Sequence, residues 1–336
     1  MVRIFGSGCD PVTLHAGETE PPTRGAIEDA YFSSTQQHTT SKKMTHSPAR
    51  RTLLLALASA PFIAACTSPA ERGISSAQDR LAVLETSSGG RLGVAALSTG
   101  DHTKLDYRAG ERFAVCSTSK VLTASAILKR SEKEAGLLEQ RIHYTKSDLV
   151  AYSPVTERHV GSGMTVAELC AAALDYSDNT SANLLMKLLG GPSAVTAFAR
   201  SIGDETFRLD RWETELNSAI PGDLRDTSTP AAMARSLQRL ALGDALGAPQ
   251  RNQLQAWLRA NTTGSMRIRA GAPAGWIVGD KTGTGDFGTT NDVAVLWPPA
   301  KPPVIVALYF TQREKDAKPR DDVLASAARI VVESFN

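Results

Sequence analysis

The stretch Cys116-Ser117-Thr118-Ser119-Lys120-Val121-Leu122-Thr123-Ala124 is where the pattern of the chain changes. Before it, Arg91–Leu97 and Lys104–Arg108 read as neighbouring strands. From Lys120 to about Leu258 helical periods take over, separated by Gly, Pro and Asp breaks. Val121–Lys129, Val166–Leu174, Ala182–Leu189 and Pro230–Leu242 are the clearest. Strand signals return at Trp276–Lys281, Asp292–Trp297 and Val304–Thr311, bounded by Gly or Pro. Helices close the two ends. Ser75–Glu85 carries Leu81 and Leu84 on one face and stops at Gly89-Gly90, and Asp322–Glu333 ends the chain. Strands at both ends with helices between predict an α+β fold: an antiparallel sheet formed from both termini with flanking helices, plus an inserted all-α domain. The catalytic domain is expected over 75–336, its α/β part at 75–115 and 259–336 and its helical part at 116–258.

The same stretch carries chemistry. A serine hydroxyl is a weak nucleophile until something takes its proton. Residues three apart share a helix face, so Lys120 can reach Ser117. A buried lysine near other cations can lose its charge and act as a base. Alone, Ser-x-x-Lys is common and also reads as a solvated helix start. Ser177-Asp178-Asn179 offers a hydroxyl to relay a proton and an amide to bind a carbonyl; it reads equally as a helix N-cap. Lys281-Thr282-Gly283 lies on a strand before a Gly-rich turn, where glycine admits a ligand to the backbone; alone it is a plain edge strand.

Taken together and in this order, Ser-x-x-Lys, Ser-Asp-Asn and Lys-Thr-Gly resemble the penicillin-recognising serine enzymes. The resemblance runs from about Ser75 to Glu333. Arg211-Trp212-Glu213-Thr214-Glu215-Leu216-Asn217 looks like the Ω-loop of class A β-lactamases, with Arg211 and Asp226 matching the ion pair across its neck. The resemblance implies that Ser117 attacks the lactam carbonyl, with Lys120, or Glu213 through water, as base. The backbone N–H groups of Ser117 and Thr284 would form the oxyanion hole, and Ser177 would pass a proton to the lactam nitrogen. Glu213, with Asn217 as second partner, would activate the water that breaks the ester. Asn179, Lys281, Thr282, Gly283, Thr284 and Arg267 would line the substrate site, and Tyr152 resembles the aromatic gate beside it. The arginine fork of Arg267 suits a substrate carboxylate; its bland alternative is a structural ion pair. No cofactor is implied.

The chain departs from the family pattern at its cysteines. Many class A enzymes bridge the position of Cys170 to one on the nucleophile helix, which here is Ala124. Carbapenem-hydrolysing members often bridge the position of Cys116 to one just after Lys-Thr-Gly, which here is Gly285. Cys116 and Cys170 are expected as buried free thiols. The nearest rival is a penicillin-binding DD-peptidase acting on peptidoglycan, which shares three motifs but lacks the Glu213–Asn217 pair. A non-catalytic β-lactam sensor would acylate once and signal. A generic α/β-hydrolase would need a Gly-x-Ser-x-Gly elbow, and the chain has none.

Composition limits the remaining classes. The chain has 336 residues, a net charge of +2 and 42% hydrophobic residues, ordinary for a soluble globular protein. No basic stripe points to nucleic acid. None of the six histidines has zinc-ligand spacing. A small-molecule β-lactam partner and a monomer are expected. The N-terminus reads as an export signal. Arg50-Arg51 precedes the short apolar run Leu53–Ala65. Arg50-Arg51-Thr-Leu-Leu resembles a twin-arginine signal, and Ile63-Ala64-Ala65-Cys66 a lipobox that would lipidate Cys66. On this reading 1–43 is an upstream extension, 44–66 a signal peptide and 67–74 a linker, giving a periplasmic protein or a membrane-anchored lipoprotein.

Overall fold

Five strands form one antiparallel sheet in the order β2-β1-β5-β4-β3. They are β1 (Arg91–Ser98), β2 (Lys104–Tyr107), β3 (Ile277–Gly285), β4 (Thr289–Trp297) and β5 (Val304–Thr311). The computed structural model describes residues 69–335, so the leader, signal and lipobox readings over 1–66 lie outside the described residues. Chain ends meet in the middle of the sheet, where β1 pairs with β5 from Arg91 opposite Thr311 to Ser98 opposite Val304. The α+β fold read from the pattern is the fold observed.

Both faces of this sheet are covered, which explains why β5 reads as an unbroken apolar run rather than an alternating one. Leu92, Val94, Ala294, Val306, Leu308 and Phe310 face the terminal helices α1 (Pro69–Ser88) and α9 (Asp321–Ser334). Ala95, Val293, Val295, Ile305, Ala307 and Tyr309 face the other way, into a core shared with the central helices. Those are α2 (Lys120–Ser131), α3 (Val166–Asp175), α4 (Asn179–Leu189), α5 (Pro192–Ser201), α6 (Pro230–Ala241) and α7 (Ala248–Ala260), followed by the short α8 (Ile268–Gly271).

Several boundaries differ from the sequence reading, each for a local reason. The residues expected as a linker, 67–74, include the first turns of α1, which starts at Pro69; proline's fixed φ suits the first turn of a helix. The strand expected over Trp276–Lys281 runs on to Gly285 as β3, because β4 pairs with it through Gly285 opposite Thr289. Helices α5 and α7 were not singled out by periodicity, although each has a proline in its first turn.

Candidate active site

Ser117 sits in a 3-10 turn, Cys116–Ser119, that feeds directly into α2. Cys116 in that turn has a φ of +45°, and Ser177 and Tyr152 have φ of +59°. Left-handed backbone is costly for residues with a Cβ, and here two of the candidate site residues, Ser177 and Tyr152, adopt it. The Ser117 turn is braced from beneath: Thr118 Oγ1 donates to Val115 O at 2.7 Å and lies 3.1 Å from the Tyr309 hydroxyl.

Lys120 is fully buried and brings the motifs together. Its Nζ lies 3.0 Å from Ser117 Oγ, 2.8 Å from the Ser177 carbonyl, 2.6 Å from Asn179 Oδ1 and 3.0 Å from Glu213 Oε1. Burial pushes its pKa down from the ordinary lysine value, and the Glu213 carboxylate pulls it back up. The Ser177 carbonyl, Asn179 Oδ1 and the Glu213 carboxylate surround the amine as acceptors, and the Ser117 hydroxyl is its fourth neighbour.

Glu213 is buried, with Oε1 3.4 Å from Ser117 Oγ and Oε2 accepting from Asn217 Nδ2 at 2.5 Å. Its backbone is clamped by Asn183, whose Oδ1 accepts from Glu213 N and whose Nδ2 donates to Glu213 O, both at 2.9 Å. Asn183 escaped the sequence reading. The signal was there, because it lies four residues after Asn179 on the same face of α4.

The Ω-loop neck is closed by Asp226, which is fully buried and accepts from Arg211 Nε at 2.5 Å and from the N–H groups of Asp210 and Arg211. Removing one partner of a buried pair strands the other charge. Arg211→Ala is therefore expected to cost stability at the lower end of about 3–5 kcal/mol, since two N–H donors remain. Urea unfolding of parent and variant checks this; a cost below about 1 kcal/mol would show the pair to be dispensable.

Ser177 Oγ accepts from Lys281 Nζ at 3.0 Å and lies 3.4 Å from Lys120 Nζ, so one hydroxyl touches both lysines. Lys281 is held well below the ordinary lysine range, first by burial and then by the charge of Lys120. Between Ser177 and Asn179, the Asp178 side chain turns away. It caps α4 by accepting from Ser181 N and also holds Val155 N and Thr156 N. The N-cap reading thus holds for the middle residue, while its two neighbours face the lysines. Tyr152 is exposed at the rim, and its carbonyl accepts from Asn179 N.

β3 is the sheet edge that carries Lys281, Thr282, Gly283 and Thr284 past the nucleophile turn. A Cβ on Gly283 would come 3.0 Å from the Val115 carbonyl, and one on Gly285 would come 2.8 Å from Cys116 Sγ. Cys116 and Cys170 are both buried free thiols. Arg267 is nearly buried behind this strand. It donates to Asp321, to the carbonyls of Gly283 and Asn291, and to Thr284 Oγ1, each at 2.7–2.8 Å. Four of its five N–H groups are thereby engaged. The structural ion pair is real, and the guanidinium reaches the site chiefly through Thr284.

Asp175, at the end of α3, was not expected. One carboxylate oxygen has no protein partner. Burial pushes its pKa up to about 7, against the pull of Lys281. A raised carboxyl pKa leaves stability intact below the unfolded value and costs stability as pH rises toward the folded one. Asp175→Asn is therefore expected to match the parent near pH 4 and to be more stable by about 1–2 kcal/mol near pH 8, after discounting for solvent screening. Thermal midpoints across that range test it; a constant difference would rule out titration as the cause.

The sequence profile of the beta-lactamase enzyme family matches residues 76–335. Beta-lactamase Toho-1 of Escherichia coli is 57% identical over 287 residues, covering 85% of this chain and 98% of that protein. Beta-lactamase OXY-1 of Klebsiella oxytoca is 57% identical over 292 residues, covering 87% of this chain and all of its own length. A crystal structure of a beta-lactamase from Desulfarculus baarsii DSM 2075 superposes with a TM-score of 0.78 at 60% identity, covering 78% of this chain and 98% of that one. Two motifs and an Ω-loop carboxylate meet at the buried Lys120, the third motif joins them through Ser177, and the chain belongs to the β-lactamase enzyme family, in its class A serine branch.

Proposed function

We propose that this protein hydrolyses the β-lactam amide of penicillins and cephalosporins through an ester on Ser117, and so confers resistance to them. The observation that carries this reading is Glu213, placed 3.4 Å from Ser117 Oγ and paired with Asn217. A peptidoglycan DD-peptidase or a β-lactam sensor needs an acylating serine but no such carboxylate. Steady multiple turnover of a penicillin supports the proposal; a single stoichiometric burst overturns it.

In this reading Ser117 Oγ attacks the lactam carbonyl carbon as its proton passes to the Lys120–Glu213 pair, whose members lie 3.0 Å apart. The carbonyl oxygen becomes an oxyanion between the N–H groups of Ser117 and Thr284; each such donor is worth about 3 kcal/mol. The C–N bond breaks, and Ser177 gives its proton to the departing nitrogen while Lys120 or Lys281 replenishes it. Glu213 Oε2 and Asn217 Oδ1, which has no hydrogen-bond partner within the protein, then bracket a water. Glu213 takes its proton, hydroxide adds to the ester carbon, and Ser117 leaves with a proton returned.

The substrate carboxylate is assigned to Lys281, Thr282 and Thr284, with Arg267 orienting Thr284 and adding charge from behind the strand. Charge-assisted hydrogen bonds are worth about 1.5–3 kcal/mol. Arg267→Ala is expected to raise KM about tenfold to a hundredfold with a smaller change in kcat. Unchanged KM for a penicillin would reduce Arg267 to a structural role. Among the described residues no helix is long and apolar enough to cross a membrane. Export, with periplasmic residence or a lipid anchor at Cys66, and a monomeric state belong to the same proposal and rest on the leader sequence and on family resemblance.

A further inference from the structure

A cleft of about 1040 Å³ opens on the outer side of the Ω-loop. One wall is the returning arm of that loop, Ala219–Arg225; the other is the corner made by the end of α1, the start of β1 and the segment 108–114. None of the residues assigned above to catalysis or substrate binding lines it.

Its charges do not balance. Arg91, Arg108, Arg112, Arg225 and Arg313 line the cleft, against the carboxylates of Glu85 and Asp223. Glu85 is engaged by Arg108, the Tyr107 hydroxyl and Leu92 N. Asp223 is engaged by Arg225. Glu111, beside the cleft, serves Arg91 and Arg108. Two guanidinium groups are left. Half-buried Arg112 is held only by a neutral group, donating to Thr227 Oγ1 at 2.9 Å, and Arg313 pairs with no carboxylate among the described residues. A partly desolvated cation without a counter-charge is costly, and an arginine fork matches oxyanions in two-point geometry.

The facing wall differs in kind. Ile220 and Leu224 are 48% and 56% exposed and lie in the same cleft. Large apolar side chains beside unneutralised arginines suit a ligand that is apolar at one end and anionic at the other.

We propose that this cleft binds a small amphiphilic oxyanion, its anionic group held by Arg112 and Arg313 and its apolar body lying on Ile220 and Leu224. The site does not depend on the reading of the catalytic centre. Because its apolar wall is the arm that leads back to Asn217, an occupant would brace the Ω-loop from outside.

Phenyl phosphate, titrated into the purified protein and followed by backbone amide NMR at constant ionic strength, tests this. Saturable shifts are expected at Arg112, Ile220 and Leu224, with affinity about tenfold above inorganic phosphate, which lacks the apolar body. Benzoate in parallel tells whether a single carboxylate suffices. Arg112→Gln and Arg313→Gln should each weaken binding at least tenfold; Arg313 is exposed, so its variant is expected to fold and to keep the parent's rate on a cephalosporin. Shifts confined to Thr282 and Thr284, shifts reproduced by sodium chloride, or binding unaffected by Arg313→Gln would each overturn the proposal.

Discussion

Ser117→Ala is expected to lower the turnover of a chromogenic cephalosporin by about 10⁵–10⁶-fold, the scale seen when a serine hydrolase loses its nucleophile. The variant should still fold. Lys120 keeps its contacts to the Ser177 carbonyl, Asn179 and Glu213, so only one hydrogen bond around the buried amine is lost. Initial rates give the size of the loss, and intact-protein mass spectrometry should find no covalent adduct. Activity within tenfold of the parent would exclude Ser117 as the nucleophile, whatever the thermal midpoint.

Replacing Glu213 separates the two halves of the reaction. General-base catalysis contributes about 10²–10⁴-fold. Glu213→Ala is expected to slow deacylation by at least the upper part of that range. Lys120 loses one of its four neighbours, so acylation should also slow, but by much less. A burst of about one product per enzyme should therefore precede a stall, with the opened antibiotic attached to Ser117. Sustained turnover in the variant would mean that another group activates the water. A burst-and-stall pattern in the parent would place the protein with the acylated peptidases and sensors.

The sequence made the candidate site residues more legible than the framework around them. Ser117, Lys120, Ser177, Asn179 and Glu213 do converge on one centre, because each motif couples a reactive group to a short, recognisable backbone feature. Arg267 was legible as an arginine near a carboxylate site but not as a bracket tied to Asp321 and two carbonyls, since those partners come from distant segments. Asn183 shares a helix face with Asn179 but meets its partner on a distant segment, and Asp175 gave no such sign. The first clamps a loop thirty residues on, and the second matters because it is buried, a property that tertiary packing creates. Helix α5 went unread although Pro192, Val195 and Ala199, with Phe198 packed beside them, sit at helical spacing on the core.

Strand β3, which carries Lys281, Thr282 and Thr284, is also an edge of the sheet, pairing only with β4. An edge strand with free N–H and C=O groups invites edge-to-edge aggregation with other molecules. Here the C-terminal end of the strand is covered. The Ser117 turn comes against Gly283, and the Ω-loop is tied on where Asp286 N donates to the Asn217 carbonyl at 2.9 Å. Changes that loosen the Ω-loop would uncover this edge and are expected to appear as self-association at high concentration as well as lost turnover.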